Sequence, residues 1–273
     1  MINYWVIDLF QLYKLEMLNI GVMKVSFKKG RAKYKVNLKK GISISTTFSG
    51  VDHLPKAFHA PDVTMEPVRT ADFVGSTLEG GLLNFKNLFI NPHGNGTHTE
   101  CVGHIATAPY FIKDTLRKEH HLGQLVTLDP ELKNEDTYIS KNQVESIAFQ
   151  NGVNCLIIRT LPNEKKDKLK DWTETNPTYI HHEAMEYLVS KGIEHFMIDV
   201  PSVDREHDEG KLLAHKRFWN YPSDAPRMHA TITEMVFVSN KIKDGLYLVN
   251  IQVLPLAMDA SPSNIFIYKV KEC

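Results

Sequence analysis

Apolar and polar residues alternate from Val25 to Phe27 and again through Tyr34, Val36 and Leu38, with Lys28-Lys29-Gly30-Arg31 between the two runs. A period of two broken by a glycine-bearing turn predicts a β-hairpin over residues 23–38. Residues 85–90 read as a strand. Residues 153–159 (Val-Asn-Cys-Leu-Ile-Ile-Arg) read as a buried strand, because the apolar run leaves no polar face. Asn176-Pro177 then offers a helix cap and a first-turn proline. The helix predicted to follow carries Ile180, Ala184, Tyr187 and Leu188 on one face and closes at Lys191-Gly192. Residues 195–200 form the next strand, so strand, helix and strand make a βαβ unit. Residues 235–238 and 246–253 flank Lys243-Asp244-Gly245 as a second hairpin, and residues 265–270 supply a last strand. The charged stretch 114–121 is expected to be an exposed helix. A βαβ unit joined to hairpins implies a mixed α/β fold in a single domain.

The first 22 residues do not share this patterning. Trp5, Ile7, Leu9, Phe10, Leu12, Leu15 and Leu18 are apolar, but Asp8, Lys14 and Glu16 break the run short of the roughly 20 residues a membrane helix needs. Nor is there the positive start and small-residue cleavage site of a secretory signal. The expectation is a folded domain over 23–273 preceded by an extension, 1–22, with Met23 as the biological start. The alternative is an amphipathic arm that packs on a partner subunit. Intact mass of the native protein decides between them.

Composition narrows the function. In 273 residues with 42% apolar content, 32 basic residues balance 32 acidic ones, so no net field recruits nucleic acid or an anionic membrane. The lysines of the first hairpin lack interleaved aromatics and read as solvated edge charges. Cys101, Cys155 and Cys273 are odd in number and far apart, which fits a reducing, cytoplasmic setting rather than a disulfide framework.

The chemistry concentrates in residues 91–104, Asn-Pro-His-Gly-Asn-Gly-Thr-His-Thr-Glu-Cys-Val-Gly-His. If the stretch is extended after Gly96, His98, Glu100 and His104 project to one face. If it turns helical after Glu100, Glu100 and His104 still share a face. Either geometry converges imidazole and carboxylate on one point, as a metal site requires. A solvated glycine-rich turn is the plainer reading, but Thr97, Cys101, Val102 and Ile105 make the segment partly apolar. Cys101 should point away from Glu100 and pack as a thiol.

Gly96-Thr97-His98-x-Glu100-x-x-x-His104 resembles the core motif of the cyclase-like metal-dependent hydrolases, whose best-known members are bacterial kynurenine formamidases. Their pattern reads His-x-Gly-Thr-His-x-Asp-x-Pro-x-His. Here Glu100 replaces the aspartate, Val102 stands at the proline, and His93 lies one residue early. The resemblance covers this motif and most of residues 178–255. It implies a swivelling β/β/α fold, a homodimer or larger assembly, and one or two Zn²⁺ ions, with Mn²⁺ as an alternative. The ligands it implies are His93, His98 and Glu100 on one side and His215 and Glu234 on the other. His104 would be the catalytic proton relay, with Thr97 and local N–H groups at the oxyanion.

Asn95 competes with His93 for the first position, and His229 with His215 for the later one across a loop inserted at 221–228. Asp199 and Ser202 are candidates for supporting the site from behind. Phe58, His59 and Phe73 are candidates for the pocket rim, and His120-His121 reads as solvated. The implied reaction is hydrolysis of an amide-like C–N bond in a small molecule, an arylformamide such as the N-formylkynurenine of tryptophan catabolism. The competing expectation is a metal-free relative that binds an aromatic or cyclic ligand without turnover.

Overall fold

The computed structural model describes residues 23–48 and 55–273; the expected extension over 1–22 lies outside the described residues. The chain opens with the anticipated hairpin, β1 (Lys24–Lys29) and β2 (Ala32–Asn37), followed by the short β3 (Ile42–Ser43). The strands β4 (Thr64–Pro67) and β5 (Lys86–Phe89) pair only with each other. This arm exposes Leu78 and Leu82 almost completely, at 97% and 99%. Then come β6 (His98–Glu100), α1 (Ile112–Thr115), β7 (His120–Leu128), β8 (Glu131–Lys133) and β9 (Asp136–Ile139). The expected helix over 114–121 is therefore corrected. Only one turn forms, and His120 and His121 open β7, where they pair with Asn250 and Val249 of the C-terminal region.

The middle of the chain holds α2 (Lys141–Glu145), β10 (Cys155–Thr160), β11 (Tyr179–Ile180), α3 (His182–Ser190) and β12 (His195–Ile198). β10 and β12 are parallel neighbours with Cys155 opposite His195, so the βαβ unit is present. Its helix starts later than expected, with His181 at the cap, and Asn176 instead binds Glu135 and Asp136. The chain ends with α4 (Leu213–Trp219), β13 (Thr231–Glu234), β14 (Gly245–Val253) and β15 (Ala260–Glu272). The second expected hairpin does not form. Residues 235–238 are not a strand, and β14 pairs with β7 and β15.

A ten-stranded mixed sheet results, ordered β1-β2-β15-β14-β7-β10-β12-β13-β6, with β3 on β15 and a further pairing of β15 with β6. β10 shows why it holds together. Leu156 and Ile158 face one core, with Phe196, Ile198, Leu188 and Phe218, whereas Cys155 and Ile157 face another, with Met197, Leu125 and Val249. Alternation of side chains puts an apolar row on each face, so the strand is buried on both sides. The mixed α/β fold is the one anticipated. No helix among the described residues is long and apolar enough to cross a membrane.

Candidate metal centre

β6 lies between β13 and β15, and the centre is built on that three-strand contact. His98 and Glu100 leave the same face because they are two residues apart. Glu234 sits directly opposite His98 in the antiparallel ladder, and its Oε2 is 3.3 Å from His98 Nε2. α4 delivers His215, whose Nε2 lies 3.1 Å from Glu100 Oε1 and 3.9 Å from Glu234 Oε1. His98, Glu100, His215 and Glu234 are all buried.

The loop before β6 places His93. Asn91 Oδ1 accepts from the backbone N–H of His93 at 3.0 Å and of Gly94 at 2.9 Å, a side-chain-closed turn that fixes the entry. Gly96 has φ +66°, and a Cβ there would meet Thr46 Oγ1 at 2.6 Å, so only glycine fits. His93 faces the centre, with Nδ1 3.1 Å from Glu100 Oε2. Asn95 does not; its side chain accepts from Asn91 N–H and donates to the Pro61 carbonyl. The 3₁₀ turn Val102–His104 brings His104 over the cluster, its ring centroid 4.3 Å from that of His93. His104 Nδ1 is 3.8 Å from Glu100 Oε2 and 3.5 Å from Asp259 Oδ2.

Three histidines share one arrangement. His98 Nδ1–H donates to the Gly96 carbonyl at 3.1 Å, His215 Nδ1–H to Asp204 Oδ2 at 2.6 Å, and His93 Nε2–H to Asp259 Oδ2 at 2.7 Å. Each outer nitrogen is thus held by a fixed acceptor, and each inner nitrogen points at Glu100 or Glu234. A histidine that ligates a metal characteristically has its other nitrogen anchored in this way. Among the described residues, His98 Nε2 and Glu100 Oε2 are buried without a hydrogen-bond partner; His93 Nδ1, though near, is not aligned for one. Leaving such atoms unsatisfied costs about 1–3 kcal/mol each. Two electron-pair donors facing one point fit a cation between them. Two sets of donors, His93–Glu100–His104 and His98–Glu100–Glu234, are each close enough together to share an ion, and Glu100 is common to both.

The electrostatics agree. Burial alone would lower the His215 imidazole, but hydrogen bonds and charge from Asp204 and Glu100 raise it. Burial likewise opposes the charge on His93, yet Asp259 and Glu100 lift it to about 10. Burial would protonate Glu100, but His104, His215 and His93 hold it well below the usual carboxylate range. His104 and His93 keep Asp259 low too. Imidazoles and carboxylates here stabilise each other's charged forms. Nitrogen and oxygen donors without thiolate suit Zn²⁺, Mn²⁺ or Fe²⁺.

Asp204 and Asp259 have no signal in the sequence, since each meets its histidine only through the fold. Asp204 also accepts from the backbone N–H groups of Ala214 at 2.7 Å and His215 at 3.2 Å, holding the start of α4. Its own N–H donates to Ser202 Oγ at 3.1 Å, so Ser202 supports the centre through Asp204. An Asp204→Asn variant is expected to bind the ion about 10- to 100-fold more weakly with the fold retained. Competition against a chelating dye measures this, and an unchanged affinity refutes the role of Asp204.

Several candidates are placed elsewhere. Thr97 is buried, and its hydroxyl donates to the Met235 carbonyl at 2.7 Å, which removes it from any oxyanion role. Cys101 packs its thiol toward the Tyr110 carbonyl. His59 is exposed against Glu174, and Phe73 stacks edge-on with Phe85 in the arm. His229 is exposed, leaving His215 as the histidine that reaches the cluster. His121 is buried rather than solvated, its Nε2–H given to the Lys118 carbonyl.

Asp199 accepts from Thr160 N–H at 2.9 Å and Thr160 Oγ1 at 2.9 Å, and burial pushes its carboxyl up to about 7. A carboxyl raised above its unfolded value stabilises the fold fully at low pH, and the contribution fades as pH rises through about 7. Asp199→Asn removes the titration. The fall in Tm between about pH 5 and about pH 8 should be shallower in the variant; identical slopes would refute the assignment.

The family described as putative cyclase matches residues 33–205. Among curated proteins none matches the chain. Among solved structures, a predicted metal-dependent hydrolase from Bacillus stearothermophilus is similar, with TM-score 0.60, 17% identity, and coverage of 84% of this chain and 98% of that one. An isatin hydrolase bound to the product analogue thioisatinate gives 0.59 and 13%, covering 85% and 93%. Isatin hydrolase A from Ralstonia solanacearum gives 0.60 and 12%, covering 84% and 92%. At such identities the likeness establishes a common fold.

Proposed function

The chain belongs to the putative cyclase family, and on that footing we propose that it is a metal-dependent hydrolase cleaving an amide-like C–N bond of a small aryl-bearing molecule. The carrying observation is the set of three anchored histidines whose inner nitrogens meet Glu100 and Glu234, with His98 Nε2 and Glu100 Oε2 left unpartnered. His93, His98, Glu100, His215 and Glu234 would hold the ion, or two ions with Glu100 between them. A bound Zn²⁺ or Mn²⁺ supplies Lewis acidity toward water and a substrate carbonyl.

The remaining steps fall to the chain. Asp204, Asp259 and the Gly96 carbonyl fix the ring orientation of the three histidines, so little reorganisation accompanies binding. His104 stands 31% exposed at the mouth of the cluster, with Nδ1 toward Glu100 and Asp259. It takes a proton from the attacking water at Nδ1 and returns it to the leaving amine, a task suited to imidazole.

Within this class the arylformamide, an N-formylkynurenine-like substrate, is the first choice. The isatin hydrolases among the similar structures favour a second, a lactam whose ring opens by the same C–N cleavage. Purified protein should contain one or two equivalents of zinc or manganese and hydrolyse one of these two substrates. Protein that stays metal-free after incubation with both ions would overturn the proposal in favour of a binding protein. The chain is further proposed to form a homodimer that covers the apolar arm, and light scattering that finds only monomer would refute this.

A further inference from the structure

An open cavity of about 810 Å³ lies between the β1–β2 hairpin and the start of the parallel strands. His195 opens β12 and Asn154 precedes β10, whereas Glu234 closes β13, which runs parallel to them. The cavity therefore sits at the opposite end of these strands from the metal centre, and the two share no residue.

Its wall has three chemical characters. Lys28, Lys29, Arg117 and Lys118 line it, and among the described residues none of the four is in an ion pair. Glu194 is the carboxylate in that wall, so positive charge prevails four to one. Phe27, Val25, Leu122 and Leu248 supply apolar surface. The third character is polar and neutral. Asn154 Nδ2 donates to Glu194 Oε2 at 2.8 Å and reaches His121 Nδ1 at 3.4 Å.

The adjoining histidines add no competing charge. His121 gives Nε2–H to the Lys118 carbonyl, and His195 Nδ1 lies 2.8 Å from Thr231 Oγ1. Their rings are 3.8 Å apart, and burial pushes both imidazoles down, toward the neutral form.

We infer that this cavity binds a small organic anion with an apolar body. The acid group answers to Lys29 and Lys118, and the body to Phe27 and Leu122. Unpaired basic side chains beside apolar surface match such a ligand in both charge and area.

The test is calorimetric titration of the full chain with 2-aminobenzoate, which carries carboxylate and ring together. Binding is expected with a Kd below about 1 mM. Lys29→Ala/Lys118→Ala should weaken it about tenfold or more, because each lost contact is charge-assisted, with Tm unchanged. His98→Ala, at the other end of the strands, should bind as tightly as wild type. Absence of heat up to about 10 mM overturns the inference. So does binding that His98→Ala abolishes and the double variant leaves intact, since the ligand then occupies the metal centre. Inorganic phosphate binding as tightly as 2-aminobenzoate would overturn the assignment of an organic body.

Discussion

His98→Ala should lose its metal ion and with it hydrolysis, by on the order of 10³-fold or more, since the Lewis acid contributes several kcal/mol to such reactions. Under the proposed function His98 is one of the ligands. It is fully buried on β6, its Nδ1–H is committed to the Gly96 carbonyl, and its Nε2 has no other partner. Three readings should move together. Elemental analysis should fall from one or two equivalents toward zero, and kcat/KM should collapse. Added Zn²⁺ should also no longer raise Tm, although wild type gains about 4 kcal/mol at roughly a thousand times Kd. A variant that keeps both its ion and its activity would refute the assignment of His98. His104→Ala is the informative comparison: as a proton relay it should lose activity and keep the metal, whereas loss of the metal would make His104 a ligand.

The largest effect on stability is expected at Trp219. The residue is fully buried in α4, donates Nε1–H to the Ala230 carbonyl at 3.0 Å, and stacks on His215 with centroids 5.4 Å apart. Trp219→Ala should cost about 3–5 kcal/mol, from lost transfer energy and the void left behind. The orphaned carbonyl of Ala230 adds to it. Urea denaturation measures the loss, and a change under about 1 kcal/mol would mean that the site collapses around the deletion. The same ring supports His215 from behind, so metal affinity should weaken in whatever protein remains folded.

How much of this was legible follows from the range of the interactions. β1, β2, β10 and β12 were readable because alternation and apolar runs are local patterns. The motif over 91–104 was readable for the same reason, since the turn at Asn91 and the extended stretch from His98 fix most of its geometry. Asp204 and Asp259 were not, because an aspartate in a loop looks like any solvated one until a histidine 11 or 166 residues away is folded against it. The charged run at 114–121 suggested a helix, yet pairing of His121 with Val249 pulled its end into the sheet. Gly245 opens β14, and that strand finds β7 and β15 rather than folding back on residues 235–238. Tertiary pairing overrode local preference at both places.

β6 is three residues long and is flanked by β13 and β15, strands from the far end of the chain. A ribosome making this protein from its amino terminus therefore delivers His98 and Glu100 long before Glu234 and Asp259 exist to meet them. The nascent chain has no complete ion cage until its last strand has emerged, and so many distant pairings make for slow closure. In the proposed metalloenzyme, uptake of the ion would consequently come late, after the strands flanking β6 have been made.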